Sequence, residues 1–357
     1  MAVDLQPTDE QTELVQTLHR FAAESLRPAA RPCESARCTP PEIAQQIHDI
    51  GVSSPVAEEF GGGGELDPVT YCMVAEELAW GDPGIAYQVL GSGLAAIVIG
   101  AAGSAEQRSR YLPKFGGATP VPAFVAVGEK IAAGDLGALD TTIEGDKVAG
   151  EKYGVLNAAT ATVGVVVGRS GSGLGGVVLG RDFEIVKAED KLGLESAPTW
   201  VVRFDSAGDA LVPGPRLDTA VLWTKLLTGS VAVGCARASL EYASAYAVQR
   251  EAFGKPIGAF QGVSFKIADM AIAVDSARLA LWRAAWKLGT KAATVGDFAA
   301  AVGQALAAAV MCGDDGVQVL GGHGYIRDHP IEKWFRDAVT LSVLDAPDLI
   351  GDVLVTR

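Results

Sequence analysis

Apolar residues recur at helical spacing through the first third of the chain. Leu14, Val15, Leu18, Phe21, Ala22 and Leu26 form one stripe that Pro28 should end, and Thr8 with Gln11 makes a capping box ahead of it. A second helix should open at Thr39-Pro-Pro-Glu42, place Ile43, Ile47 and Ile50 on one face, and stop at Gly51. Further helices fit 68–80, 82–100 and 104–115. From Gly116 to about Leu217 the period shortens to Val-, Ile- and Thr-rich runs (121–127, 141–143, 147–149, 162–167, 176–179, 200–204) separated by Gly and Asp, which predicts a small sandwich or barrel. Beyond Asp218 the pattern is long-helical again, over 219–253, 258–288 and 296–312. The chain therefore reads as an α+β multidomain protein: a helical domain over 1–115, a small β-barrel or sandwich over 116–217, and a four-helix-bundle-like domain over 218–357.

Composition narrows the function class. At 357 residues, with 49% hydrophobic and 20% charged residues, the chain can bury more than one core and is not of disordered type. Its net charge of -14 argues against nucleic acid or an anionic membrane surface as partner, although it leaves room for an anionic ligand held by local cations and backbone N–H groups. The five cysteines, Cys33, Cys38, Cys72, Cys235 and Cys312, are scattered without a Cys-x-x-Cys pair, so a reduced, cytoplasmic protein is expected. The most apolar runs are interrupted by Gly, Arg or Glu, and no membrane span is expected. Four histidines without close spacing give no expectation of a metal.

Three glycine-punctuated segments invite a chemical reading. Gly171-Ser-Gly-Leu-Gly-Gly176 has the Gly-x-Gly-x-x-Gly spacing of a dinucleotide turn, but strand-like Val177, Val178 and Leu179 follow where a helix should start, so it reads as a hairpin loop. The second runs Tyr246-Ala-Val-Gln-Arg-Glu-Ala-Phe-Gly-Lys-Pro-Ile-Gly-Ala-Phe-Gln261, and the third is Gln318-Val-Leu-Gly-Gly-His-Gly-Tyr325. Taken alone, Arg250 reads as a solvated cation at a helix C-terminus, and Gln318–Tyr325 as a helix cap followed by a turn. His323 carries no signal of its own.

Together with Arg336-Asp-Ala338, the second and third segments resemble the acyl-CoA dehydrogenase family, and the helix, strand, helix order is similar to that family's layout. The resemblance implies FAD as cofactor and an acyl-CoA as substrate. It also implies that Arg250 and Gln261, with Phe253 between them, hold a dinucleotide's pyrophosphate in a neighbouring subunit, while Gln318, Gly321 and Gly322 meet its adenosine end. A planar guanidinium suits bidentate phosphate contact, and glycine lets backbone come close to a ligand.

The same resemblance exposes departures. Relatives carry a Glu-Gly-Thr step after Arg-Asp-Ala whose glutamate removes the substrate's α-proton; in register this chain has Asp345-Ala346-Pro347. Asp345 is then the candidate base, withdrawn by one C–C bond, about 1.5 Å, and a misplacement of about 1 Å can cost on the order of a hundredfold. As a residue it reads equally as a surface acid beside Asp348. The alternative base position of some relatives falls on Thr224. Thr-Glu-Pro becomes Gly128-Glu129-Lys130, Gly-Ser-Asp becomes Ala133-Gly134-Asp135, the flavin-shielding Trp becomes Tyr153, and the hydroxyl two residues on becomes Val155.

Three readings stay open. The first is a subunit that completes the FAD site of a second acyl-CoA dehydrogenase-like chain, as in heteromeric relatives acting on bulky thioesters such as steroid side chains. The second is a self-sufficient homo-oligomeric dehydrogenase using Asp345, and the third a non-catalytic acyl-CoA-binding or scaffold protein. The resemblance implies an electron-transferring flavoprotein as acceptor in either enzymatic case.

Overall fold

The computed structural model describes residues 5–130, 139–171 and 173–344. Six α-helices come first: α1 (Asp9–Phe21), α2 (Arg27–Ala36), α3 (Pro41–Asp49), α4 (Pro68–Gly81), α5 (Pro83–Ala102) and α6 (Ala105–Phe115). Local chemistry starts most of them. Thr8 and Ser104 close capping boxes with Gln11 and Gln107, Asp67 and Asp82 cap α4 and α5, and each of the latter two opens on a proline. The expected stop at Pro28 does not occur. A π-helical turn, Ala22–Leu26, intervenes, and the Arg27 N–H reaches back to the Ala22 carbonyl; this widened turn takes up the proline, which lacks an N–H, and the helix runs on to Ala36.

The middle segment forms one eight-stranded sheet: β1 (Ala123–Ala126), β2 (Thr142–Glu144), β3 (Lys147–Leu156), β4 (Val163–Ser170), β5 (Gly173–Leu179), β6 (Glu184–Ala188), β7 (Thr199–Ala207) and β8 (Asp209–Ala210). Its order is β6-β7-β3-β2-β4-β5-β8, with β1 parallel to β4. The β4–β5 pairing closes from Ser170 opposite Gly173, so the glycine-rich segment is a hairpin turn, as its context predicts. Phe124 of β1, Phe183 and Phe204 of β7 bring their rings within 5.4 to 6.4 Å, so the sheet curls around an aromatic centre. Its other face, with Val163, Val165 and Val178, packs on Ile99, Leu112 and Phe115. The strand β6 has no counterpart in the sequence reading; all five of its residues are exposed, so it shows no apolar alternation.

The last segment is α7 (Pro215–Gln249), a hairpin of β9 (Glu251–Ala252) and β10 (Lys255–Pro256), then α8 (Gln261–Gly289), α9 (Val295–Leu320) and α10 (Ile331–Leu344). Two expected bounds shift. The chain turns extended at Arg250, ending α7 four residues early, and α9 continues past 312 to a cap at Gly321. Three helical stretches, Pro83–Ala102, Pro215–Gln249 and Val295–Tyr325, are long and apolar enough by length and composition to cross a membrane, contrary to the expectation that Gly, Arg and Glu interrupt every such run. Isolated glycines and charges do not end a helix whose neighbours bury it, and 83% of the most apolar part of α7 lies inside the fold. At its centre stands α4, apolar nearly all round and buried throughout except for Val69.

Ion pairs join these layers. Arg237 of α7 meets Glu76 and Glu77 of α4 at 2.9 and 2.6 Å, and Arg278 of α8 meets Glu76 at 2.8 Å. The Arg27 guanidinium lies between Trp80 and Trp334, 3.7 and 4.7 Å from their ring centres. Deeply buried too is Lys333, 1% exposed, which contacts Asp82 at the α4–α5 junction and Asp337 at 2.7 Å. Burial disfavours its charge, but the two carboxylates outweigh burial and hold its pKa above the ordinary value. Asp82 also caps Ile85 and accepts from Ser196, and Asp337 accepts from the Leu194 N–H. Lys333→Met should therefore leave two facing buried carboxylates and cost about 3–5 kcal/mol. A urea midpoint unchanged from the wild type would contradict this.

Candidate functional site

One cleft and one internal cavity divide the sequence-predicted residues between them. The cleft sits where α7 gives way to the β9–β10 hairpin and α9 ends. Tyr246, Arg250, Ile257, Val319, Leu320, Gly321, Gly322, His323 and Ile326 line it, around an open volume of ≈ 580 Å³. The chain builds it by two turns. Arg250, at the α7 cap, donates its N–H to Tyr246 and accepts from the Ile257 N–H at 2.8 Å, which folds the hairpin back beside the helix end. Gly321 takes φ +60 at the end of α9, a conformation that favours glycine, and begins a 3-10 turn through Tyr325.

The lining has features suited to a phosphate-bearing ligand. A Cβ added at Gly321 or Gly322 would meet nothing within 4 Å, so the backbone there faces open space that a ligand can enter. No carboxylate lines the cleft, and the exposed Arg250 guanidinium has no ion-pair partner among the described residues. A guanidinium without an ion-pair partner among the described residues, beside bare glycine backbone, fits a dinucleotide's diphosphate, so Arg250, Gly321 and Gly322 could hold that part of FAD. The other residues expected at this grip stand outside the lining. Phe253 is 96% exposed on the hairpin at φ +53, its ring edge-on to Phe260 at 6.2 Å. Gln261 opens α8 and Gln318 lies in the last turn of α9, both exposed. His323, which the sequence reading passes over, does line the cleft, with its Nδ1 3.2 Å from the Tyr246 hydroxyl. Only its position inside the Gln318–Tyr325 segment could have drawn attention to it.

The cavity lies among α5, β1, β3, α7 and the end of α10, where the resemblance would place a flavin ring and acyl group within this chain. It is small, ≈ 60 Å³, and no carboxylate or imidazole is among its lining residues. Tyr87, Leu156, Leu227 and Leu344 occupy its walls. Thr224 and Thr228 line it too, but each hydroxyl donates to its own helix backbone, to Val221 O at 2.8 Å and Thr224 O at 3.2 Å. Gly128 is required by closeness: a Cβ there would stand 2.9 Å from the Tyr153 carbonyl, and the Tyr153 N–H bonds Gly128 O at 3.0 Å. A side chain in that backbone position would push the segment after β1 away from β3.

Tyr153 lines the cavity with its hydroxyl bonded to Glu151 at 2.6 Å. Val155, read from the family register as a lost flavin donor, is 1% exposed and packs into the β core, not into the cavity lining; the pairing of β3 with β7 shifts between Lys152 and Val155. Asp345, Asp348 and the segment Ala133-Gly134-Asp135 lie outside the described residues. Leu344, the last residue of α10, faces Gly154 at the cavity wall.

Behind Gly128, Glu129 pairs with Lys152 at 2.7 Å and accepts from the N–H groups of Asp140 and Thr141. Burial pulls Lys152 down to about 8, with Glu129 opposing, while burial pushes Glu129 up but Lys152 and Thr141 outweigh it and hold it below its ordinary value. The folded chain gives up the Lys152 proton before the unfolded chain does. Its burial penalty is therefore full below about 8 and fades towards 10.5, so this group's contribution to stability rises with pH in that window. Glu129→Gln removes the offsetting charge, and its loss of stability should be larger at neutral pH than near 10.5. Equal losses in urea titrations at the two pH values would contradict the pairing.

Comparison with known proteins follows the same division of the chain. Residues 8–118 match the model of the acyl-CoA dehydrogenase N-terminal domain, and residues 217–347 that of the acyl-CoA dehydrogenase C-terminal domain. The mitochondrial short-chain specific acyl-CoA dehydrogenase of Mus musculus is 31% identical over 365 residues, 96% of this chain and 88% of that protein. Among solved structures, a glutaryl-coenzyme A dehydrogenase in complex with glutaryl-CoA superposes with TM-score 0.87 at 26% identity, covering 99% of this chain and 96% of the other. A chain of the structure described as the electron transferring flavoprotein of Acidaminococcus fermentans superposes with TM-score 0.89 at 25% identity, covering 99% of each.

Proposed function

The chain belongs to the acyl-CoA dehydrogenase family of FAD-dependent oxidoreductases, and from that premise we propose that it serves α,β-dehydrogenation of an acyl-CoA thioester as the subunit that completes a partner chain's FAD site. One observation carries the reading. The outward cleft is open at ≈ 580 Å³ and keeps a guanidinium without an ion-pair partner among the described residues beside bare glycine backbone, whereas the internal cavity is ≈ 60 Å³, well below the roughly 300–1,000 Å³ of ligand pockets. The two also stand far apart. From Thr228 to Arg250 the helix α7 rises roughly 33 Å at about 1.5 Å per residue. A cofactor gripped at Arg250 is therefore presented outward, towards a second acyl-CoA dehydrogenase-like chain.

When bound, FAD supplies the acceptor for the hydride that leaves the substrate's β-carbon. This chain's part is to hold charge and position. Arg250 neutralises diphosphate charge, the Gly321–Gly322 backbone allows close approach, and Phe253 on the exposed hairpin offers apolar surface to the partner. Gln261 and Gln318 stand exposed at the start of α8 and the end of α9. An electron-transferring flavoprotein is the acceptor we expect for the assembled enzyme, in keeping with the likeness to the Acidaminococcus fermentans chain.

A second reading has one observation in its favour. Leu344 lies at the cavity wall, so Asp345 is bonded to a residue that lines it. If a homo-oligomer opens that cavity to an acyl thioester, Asp345 would be the base that takes the α-proton.

One experiment tests the grip common to both readings, and a second separates them. Arg250→Ala in the assembled protein should weaken FAD retention by roughly tenfold or more, charge-assisted contacts being worth about 1.5–3 kcal/mol. Unchanged flavin content after dialysis would remove Arg250 from the grip. In flavin bleaching by acyl-CoA, Asp345→Asn should leave the rate near that of the parent if a partner supplies the base. A fall of about 10²–10⁴-fold would instead establish the homo-oligomeric reading.

A further inference from the structure

Beside Arg250 the cleft carries a second nitrogen group whose setting is more ordered than an exposed turn requires. His323 stands in the 3-10 turn after α9, exposed to the cleft, with its ring 6.2 Å from Tyr246 and 5.5 Å and nearly perpendicular to His329. Its Nδ1 meets the Tyr246 hydroxyl at 3.2 Å, and its Nε2 has no partner among the described residues. The support continues inward. The Tyr242 hydroxyl meets Nδ1 of His329 at 2.7 Å, the His329 carbonyl accepts from Arg31 at 2.9 Å, and Tyr242 lies edge-on to the buried Trp334 at 5.8 Å.

A neutral imidazole has one donor and one acceptor nitrogen, and the hydrogen bond at one fixes the role of the other. When the Tyr246 hydroxyl donates to Nδ1, the ring hydrogen resides on Nε2, and a donor points into a cleft that already contains Arg250 and no carboxylate. We infer that His323 is a second donor to the dinucleotide's diphosphate, held in its donating tautomer and orientation by Tyr246; this deepens, and rests on, the assignment of the cleft to FAD. Tyr246 is a positioning residue here. It stands one helical turn before Arg250 on α7, so one helix end sets both donors.

The test is calorimetric titration of the full chain, with any subunit that copurifies, using ADP and adenosine as probes. His323→Ala should weaken ADP binding by about tenfold, a loss typical of a hydrogen bond to a charged group, and leave adenosine binding unchanged. His323→Gln, which restores a neutral N–H donor, should recover most of the loss. Tyr246→Phe should weaken ADP by a smaller factor and again spare adenosine. Wild-type ADP binding in His323→Ala, with binding lost in Arg250→Ala, would overturn the inference and leave the cleft's assignment standing. No change in either variant would overturn both. An equal loss for adenosine and ADP would make the ring a mere support for the cleft wall and would also overturn the inference.

Discussion

A single buried ammonium ties the architecture together. Lys333 of α10 lies between Asp82, where α4 meets α5, and Asp337, one turn along its own helix. Those carboxylates are themselves held by Ile85, Ser196 and Leu194, so the helical N-terminal segment, the loop between β6 and β7 and the last described helix share one polar node. Arg336 adds to it with contacts to Glu34, Glu332 and the Leu192 carbonyl. A shift of α10 by one residue would carry Lys333 and Asp337 away together and leave Asp82 buried without its cation, a loss of several kcal/mol. Among the described residues, the Arg-Asp-Ala step thus acts as a clamp whose consequence is local: it brings Leu344 to the cavity wall.

With that clamp in place, the helix α7 works as a rigid bar between two sites of opposite character. At one end its threonines spend their hydroxyls on their own backbone and wall a cavity with no carboxylate or imidazole among its described lining. The other end terminates in an arginine with no ion-pair partner among the described residues, beside glycine backbone and His323. Among the described residues the inner site carries no carboxylate, while the outer site presents the Arg250 guanidinium in a chain of net charge -14. That division is the physical content of the proposal that this chain supports chemistry in a partner.

Much of the fold was legible because local chemistry and burial agree. Thr8, Ser104, Asp67 and Asp82 announce their helices through caps, and the valine runs of β4 and β5 announce strands. What escaped detection failed that agreement. The helix α10 buries Lys333 and Asp337 beside Trp334, Ala338 and Leu341, so polar residues occupy core positions and blur its apolar stripe. Wholly exposed, β6 has no stripe at all. At the grip, Arg250, Gly321 and Gly322 come together as the motifs imply, but the contact of His323 with Tyr246 arises only through folding, because the two are 77 residues apart. Nor could residue types alone reveal that Gly128 and the leucines close the inner cavity, since its volume is set by packing between α5, β3 and α7.

Flavin stoichiometry tests the account at its centre. The absorbance ratio of flavin to protein, measured together with sedimentation, should show little flavin in the chain expressed alone and one FAD per pair of chains when it is co-expressed with a second acyl-CoA dehydrogenase-like chain that copurifies with it. A stable homo-oligomer carrying one FAD per chain and turning over acyl-CoA would contradict the account.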